Sequence, residues 1–122
     1  MRHVEISVTT QYLPAQSVPD NQQYVFAYTI TIHNNGDTAV QLLNRAWQIT
    51  DANHKITRVA GDGVVGQQPL IAAGESYSYT SGTVLATPLG SMQGHYGMVD
   101  QNGELFQVEI ASFRLAIPNI LH

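Results

Sequence analysis

Tyr24-Val25-Phe26-Ala27-Tyr28-Thr29-Ile30-Thr31-Ile32 puts Tyr24, Phe26, Tyr28, Ile30 and Ile32 on one parity and Val25, Ala27, Thr29 and Thr31 on the other. A side-chain period of two, carried by aromatic and β-branched residues, is the pattern of a strand with one buried face. Asn34-Asn35-Gly36-Asp37 follows, and these residue types accept positive φ at low cost, so the strand ends in a turn.

The same period extends in both directions. Upstream, Val4, Ile6, Val8, Thr10 and Tyr12 alternate with Glu5, Ser7, Thr9 and Gln11 until Pro14 ends the run. Downstream, a third strand over residues 39–50 carries Trp47 and Ile49 and turns at Asp51-Ala52-Asn53. A short strand is expected over 54–59, a long glycine-rich loop over 60–75, and a strand marked by Tyr77 and Tyr79. A turn at 87–90, a strand over 95–99, a turn at 100–103 and a final strand over 104–117 complete the chain. In the last strand Phe106, Val108 and Ile110 share one parity whereas Phe113, Leu115 and Ile117 share the other, which predicts a β-bulge near Ala111 and Ser112.

Seven or eight short antiparallel strands with turn signals between them predict an all-β, immunoglobulin- or fibronectin III-like sandwich filling residues 1–122 as a single domain. Trp47 on the third strand is expected in the core. Tyr96, two residues before Met98, has the spacing of a tyrosine corner, whose hydroxyl bonds to backbone in the preceding loop.

Composition narrows the function. The 122 residues include no cysteine, which excludes disulfides, thiolate metal sites and thiol nucleophiles. Five basic residues against nine acidic ones give a net charge of -4, and Arg2, Arg45, Lys55, Arg58 and Arg114 are scattered, which speaks against nucleic acid as a partner. No apolar leader opens the sequence and no apolar run has the length of a membrane span, so a cytoplasmic location without membrane insertion is the expectation.

Three constellations invite a chemical reading. Gly61-Asp62-Gly63-Val64-Val65-Gly66 has the spacing of a dinucleotide-binding loop, but Gln67-Gln68-Pro69 follows where that chemistry needs a helix N-terminus. The glycines then shape a tight loop, with an anion held by successive loop amides as the alternative. Asp51, His54 and His95 are candidate ligands for a divalent cation if the end of the third strand and the start of the strand over 95–99 share a pole. Ser76, Ser78, Thr80 and Ser81 surround Tyr77 and Tyr79 but lack a nucleophile elbow, so no catalytic residue is nominated. Alternating strands would bring His33 and Asp37, the loop of Gly61, Asp62, Gly63 and Gly66, and the turn of Asp100 and Asn102 to one pole as a binding surface.

The runs 61–69 (GDGVVGQQP), 74–82 (GESYSYTSG) and 87–96 (TPLGSMQGHY), with 44–51 (NRAWQITD) upstream and 106–113 (FQVEIASF) downstream, resemble the ApaG family across essentially the whole chain. The resemblance implies a small bacterial cytoplasmic protein with a fibronectin III-like sandwich, and a family associated with cobalt tolerance and magnesium efflux. Related domains occur in eukaryotic F-box proteins and in a DNA-polymerase-interacting protein, where protein binding is the expected role. The expectation is therefore a non-enzymatic interaction module with a protein partner and no cofactor. Direct binding of a metal or a phosphate is the alternative, and unpaired strand edges offer a route by which two copies pair.

Overall fold

The alternation that singles out Tyr24 to Ile32 is realised as β2 (Tyr24–Asn34), in which Phe26, Tyr28, Ile30 and Ile32 are buried. The computed structural model of the protein describes residues 3–118. The other strands are β1 (Val4–Tyr12), β3 (Val40–Asp51), β4 (Ile56–Asp62), β5 (Leu70–Ile71), β6 (Ser76–Leu85), β7 (Leu89–Asp100) and β8 (Leu105–Ala116). The only helical turns among the described residues are short 3-10 segments at Pro14–Gln16 and Pro19–Asn21, so no described helix is long and apolar enough to cross a membrane.

Two antiparallel sheets face each other. One has the order β1-β2-β6; the other has the order β4-β3-β7-β8, with the two-residue β5 pairing to β3. Their inner faces meet in a core built from Phe26, Tyr28, Ile30 and Ile32 on one side and Leu42, Trp47, Met92, Tyr96, Met98, Ile110 and Leu115 on the other. Trp47 is 4% exposed, as its place on the third strand predicts, and its indole meets Tyr28, Tyr96 and Phe113 edge-on at centroid separations of 5.6, 6.3 and 5.8 Å. Such tilted contacts set the positive edge of one ring against the negative face of another.

The bulge read from the phase change is present. Met92 pairs with Phe113 and Gly94 with Ile110, so Ala111 and Ser112 together oppose Gln93 and the buried parity is restored. Gly94 admits no side chain, because a Cβ would lie 1.9 Å from the Ala46 carbonyl oxygen on β3. A second bulge, not read from the sequence, lies in β3 between Leu42 and Asn44 and leaves Leu43 out of the ladder with β7.

Three boundaries differ from the sequence reading. β4 extends to Asp62 and β5 falls inside the segment read as loop, because both gain ladder partners on β3. β7 begins at Leu89, since residues 89–92 pair with β8, so the turn at 87–90 is shorter than expected. Tyr96 therefore stands in mid-strand rather than at a strand start. It points between the sheets, and its hydroxyl bonds to the Tyr79 hydroxyl at 2.5 Å. The expected corner bond to loop backbone is replaced by a side-chain bond between the two sheets.

Candidate binding site on the open flank

The sandwich has two flanks. On one, β1 lies against β8. On the other, β6 and β4 make no comparable contact, and the segment between β4 and β5 fills part of the gap. That segment is the glycine loop. Val64 and Gln67 exchange backbone hydrogen bonds of 2.8 and 3.0 Å around Val65 (φ 48°) and Gly66 (φ 76°), which is a two-residue hairpin with the positive φ values of a type I′ turn. Gly63 (φ 65°) has no alternative, because a Cβ would sit 2.4 Å from the Gln67 carbonyl oxygen.

The bulge at Leu43 anchors this loop. Leu43 lies outside the β7 ladder, and its carbonyl accepts from Gly63 N at 2.8 Å and from Gln68 Nε2 at 2.9 Å. Arg45 adds a second anchor, its Nη1 donating to the Asp62 and Gly63 carbonyls at 3.1 and 3.0 Å. The loop thus docks on the flank against residues 43–45 of β3, in the half of the sandwich nearer the expected pole but not at its tip. Val64 is fully buried beneath it, whereas Val65 at the turn tip is 61% exposed. A β-branched residue in the left-handed region is a strained choice for a surface turn.

Under the loop the sheets leave a cleft. Tyr28, Arg45, Trp47 and Ser81 line both of its lobes, of about 260 and 210 Å³, with the glycine loop as the lip of the first. Arg45 is half-buried at their junction, and only its Nη1 makes a described hydrogen bond. Tyr79 lines the first lobe, and its hydroxyl bonds to that of Tyr96, which is fully buried behind it. Burial pushes the Tyr79 hydroxyl up to about 12, against a smaller opposing effect of its bond with Tyr96. Burial drives Tyr96, which is 0% exposed, further in the same direction. Both hydroxyls are therefore neutral at physiological pH. No buried side-chain nitrogen or oxygen among the described residues is left without a partner.

The remaining sequence candidates divide by position. His33 and Asp37 at the end of β2 and Asp100 and Asn102 in the β7–β8 turn do share a pole, because Val4 pairs with Asn34 and Val40 with Asp100. Their chemistry is largely structural: Asp100 Oδ1 accepts from Asn102 N and Glu104 N at 2.9 Å each, and His33 Nδ1 bonds to Ser76 Oγ at 2.5 Å. Asn34, fully buried, organises that pole by donating to the Thr38 and Ile71 carbonyls and accepting from Gly36 N. Gly61, Asp62, Gly63 and Gly66 belong to the flank. The Gly63, Val64 and Gln67 amides are spent within the loop and on β3, so these amides do not form the anion cradle weighed as an alternative.

Asp51, His54 and His95 are not brought together. Asp51 pairs with Gly90 at the far pole, while His95 pairs with Ala46, well along the strand, because β7 starts at Leu89 rather than at His95. Asp51 Oδ1 is occupied by Asn53 N and Lys55 N at 2.8 and 3.0 Å, the same turn chemistry as at Asp100. Among the described residues no group of three His, Asp or Glu side chains converges. A further hollow of about 480 Å³ lies on the outer face of the larger sheet, over Ala46 and beside the Ala111–Ser112 bulge. Arg58, His95 and Glu109 are among its lining residues, and the guanidinium there belongs to an exposed residue, whereas Arg45 on the flank is half-buried.

Sequence reasoning missed Arg45 and Tyr79 as members of one site. A signal for Arg45 was present: it shares parity with Trp47 and Ile49, so a cation stands on the buried face of an amphipathic strand.

Comparison with known proteins adds a family. The family described as the ApaG domain matches residues 14–100. Protein ApaG of Escherichia coli K12 is 58% identical over 117 residues, covering 96% of this chain and 94% of that protein, and Protein ApaG of Shigella boydii serotype 18 matches to the same extent. The crystal structure of the putative ApaA protein from Bordetella pertussis superposes with a TM-score of 0.95 at 50% identity, covering 98% of this chain and 97% of that one.

Proposed function

The chain belongs to the ApaG domain family, and we propose that it is a non-enzymatic binding module whose protein partner engages the open flank, in the service of divalent-cation homeostasis. Cobalt tolerance and magnesium efflux are the processes that the family resemblance suggests. The observation that carries the binding reading is Arg45: a half-buried guanidinium in a cleft, tied by one nitrogen to a loop whose tip presents an exposed apolar residue. A carboxylate from a partner would meet the cation, and an apolar side chain would cover Val65. The neighbouring hydroxyls of Tyr79 and Tyr96 stay protonated, which suits a rigid wall better than acid–base work.

The test is complementation of a deletion strain on cobalt. Asp62→Lys and Val65→Glu alter the exposed flank, while Asn53→Lys alters an exposed turn at the far pole. Each variant is first shown to melt like the wild type. Loss of tolerance with the flank variants and its retention with Asn53→Lys is the expected result; full complementation by both flank variants puts the surface elsewhere. A second reading, a small anion such as pyrophosphate on Arg45, is favoured by the guanidinium nitrogens that make no described hydrogen bond. It predicts saturable heat on titration with pyrophosphate that Arg45→Gln abolishes, whereas the partner reading predicts no such heat.

A further inference from the structure

Four long strands form the borders of the two sheets, and three of them carry the devices by which proteins keep borders from pairing. β1 contains Glu5 and is covered by β8; β8 contains Glu109, Arg114 and the bulge at Ala111 and Ser112; β4 contains Arg58 and Asp62. β6 has none. Its 10 residues, SYSYTSGTVL, include no charge and no proline, and its ladder with β2 runs from Ser76 to Leu85 without a register break. No backbone hydrogen bond from the glycine loop or any other described segment outside β2 reaches it.

We propose that β6 is the edge through which a second copy of this chain pairs, antiparallel and about a two-fold axis at Thr80, so that two three-stranded sheets become one of six strands. An isologous contact must be self-complementary, and this strand is. With Thr80 opposite its own copy, Ser78 faces Gly82 and Ser76 faces Val84 on the outer surface, while Tyr79 faces Ser81 and Tyr77 faces Thr83 on the inner one. Large meets small at each bulky inner position. Moving the axis to Ser81 would instead set Tyr77 against Leu85, which is already committed to the core. No like charges oppose each other across the axis, a penalty that self-pairing risks on the charged borders β4 and β8. The outer face also continues a pattern already present: Thr29 bonds to Thr80 at 2.8 Å and Thr31 to Ser78 at 2.7 Å, giving uncharged rows of hydroxyls up to the axis. The pairing occupies the β6 border of the same flank whose cleft Tyr79 and Ser81 line, so a second copy and a partner there compete, whereas Thr80 on the outer face lines neither lobe and its substitution tests the pairing alone.

Sedimentation velocity over a wide concentration range tests the proposal. The wild type is expected to reach twice the chain mass, while Thr80→Lys and Thr80→Glu, each setting like charges face to face, stay at one chain mass. Mixed together, the two variants are expected to regain the doubled mass, because lysine then faces glutamate. A wild type that remains one chain at every concentration, a Thr80→Lys variant that still doubles, or a mixture that does not recover overturns it. Amide hydrogen exchange on the wild type needs no variant: exchange in residues 76–85 slows as concentration rises if β6 pairs, and is independent of concentration if it does not.

Discussion

Along the β1/β8 flank the two sheets touch, and Val4, Ile6, Val8, Phe106 and Val108 pack from both sides onto the core. Along the β6/β4 flank they part, and what lies between is a pinned loop, a half-buried arginine and a cleft. β1, β6 and β8 alternate exposed with half-buried or buried residues, whereas β4 is exposed along nearly its whole length. β4 pairs with β3 only as far as Asn44, and the chain then leaves the ladder through the glycine loop before β5 resumes the pairing with β3 at Gln41. Where sheets close, side chains are consumed by packing; where they stay open, polar groups and strained backbone persist, as is common at binding surfaces.

The harshest way to break this contrast is Trp47→Ala, which removes the wall between core and cleft and should cost on the order of 3 to 5 kcal/mol in urea denaturation. A loss below about 1 kcal/mol would mean that the open flank is not continuous with the core, since large-to-small core substitutions cost more than this.

Tyr96→Phe sharpens it. The change leaves the buried Tyr79 hydroxyl without its partner, and about 0.5 to 1.5 kcal/mol of stability should go, the net worth of one hydrogen bond. The pH dependence has a definite sign. Folding holds the Tyr79 proton up to about 12, above the ordinary tyrosine value of about 10, so the unfolded chain releases its proton first. Stability from this group is complete below about pH 10 and is lost as pH rises from there toward about 12. The Tyr79→Phe/Tyr96→Phe double variant should show a shallower alkaline decline of its denaturation midpoint than the wild type, and a parallel decline would argue against the pair.

The smallest effect is a gain. Val65→Asn suits the left-handed position of a type I′ turn and should raise stability by up to about 1 kcal/mol in thermal unfolding. On the closed flank there is no equivalent substitution, because the described positive-φ non-glycine residues are Gln22, His54 and Val65, all outside β1 and β8. A destabilised variant would mean that Val65 holds the loop rather than straining it.

How much was legible follows from the range of the interactions concerned. The strand of Tyr24 to Ile32 and the phase slip at Ala111 and Ser112 are local, and each was readable because a residue's parity along a strand fixes which face it occupies. The bulge at Leu43 left a fainter mark, since Leu42 and Arg45 are both inward-facing across one extra residue. The metal candidates Asp51, His54 and His95 were misplaced because one strand boundary lay six residues early, at Leu89, and strand boundaries depend on partners that sequence periodicity does not name.

By itself, then, the sequence determined the β architecture, the burial of Trp47, the phase-restoring bulge and the family resemblance, all of which rest on alternation or on long runs of residue identity. The tertiary structure alone decided that Tyr96 meets Tyr79 instead of a loop carbonyl, that the glycine loop docks on Leu43 and Arg45 instead of a pole, and that β6 is left as an unguarded border. The first two join segments far apart in the chain, and the third follows from the sheet order, which leaves β6 with β2 as its one ladder partner. Such contacts are set by sheet order and by where each ladder ends, which arise from the packing of the whole chain and leave no period in any one stretch of it.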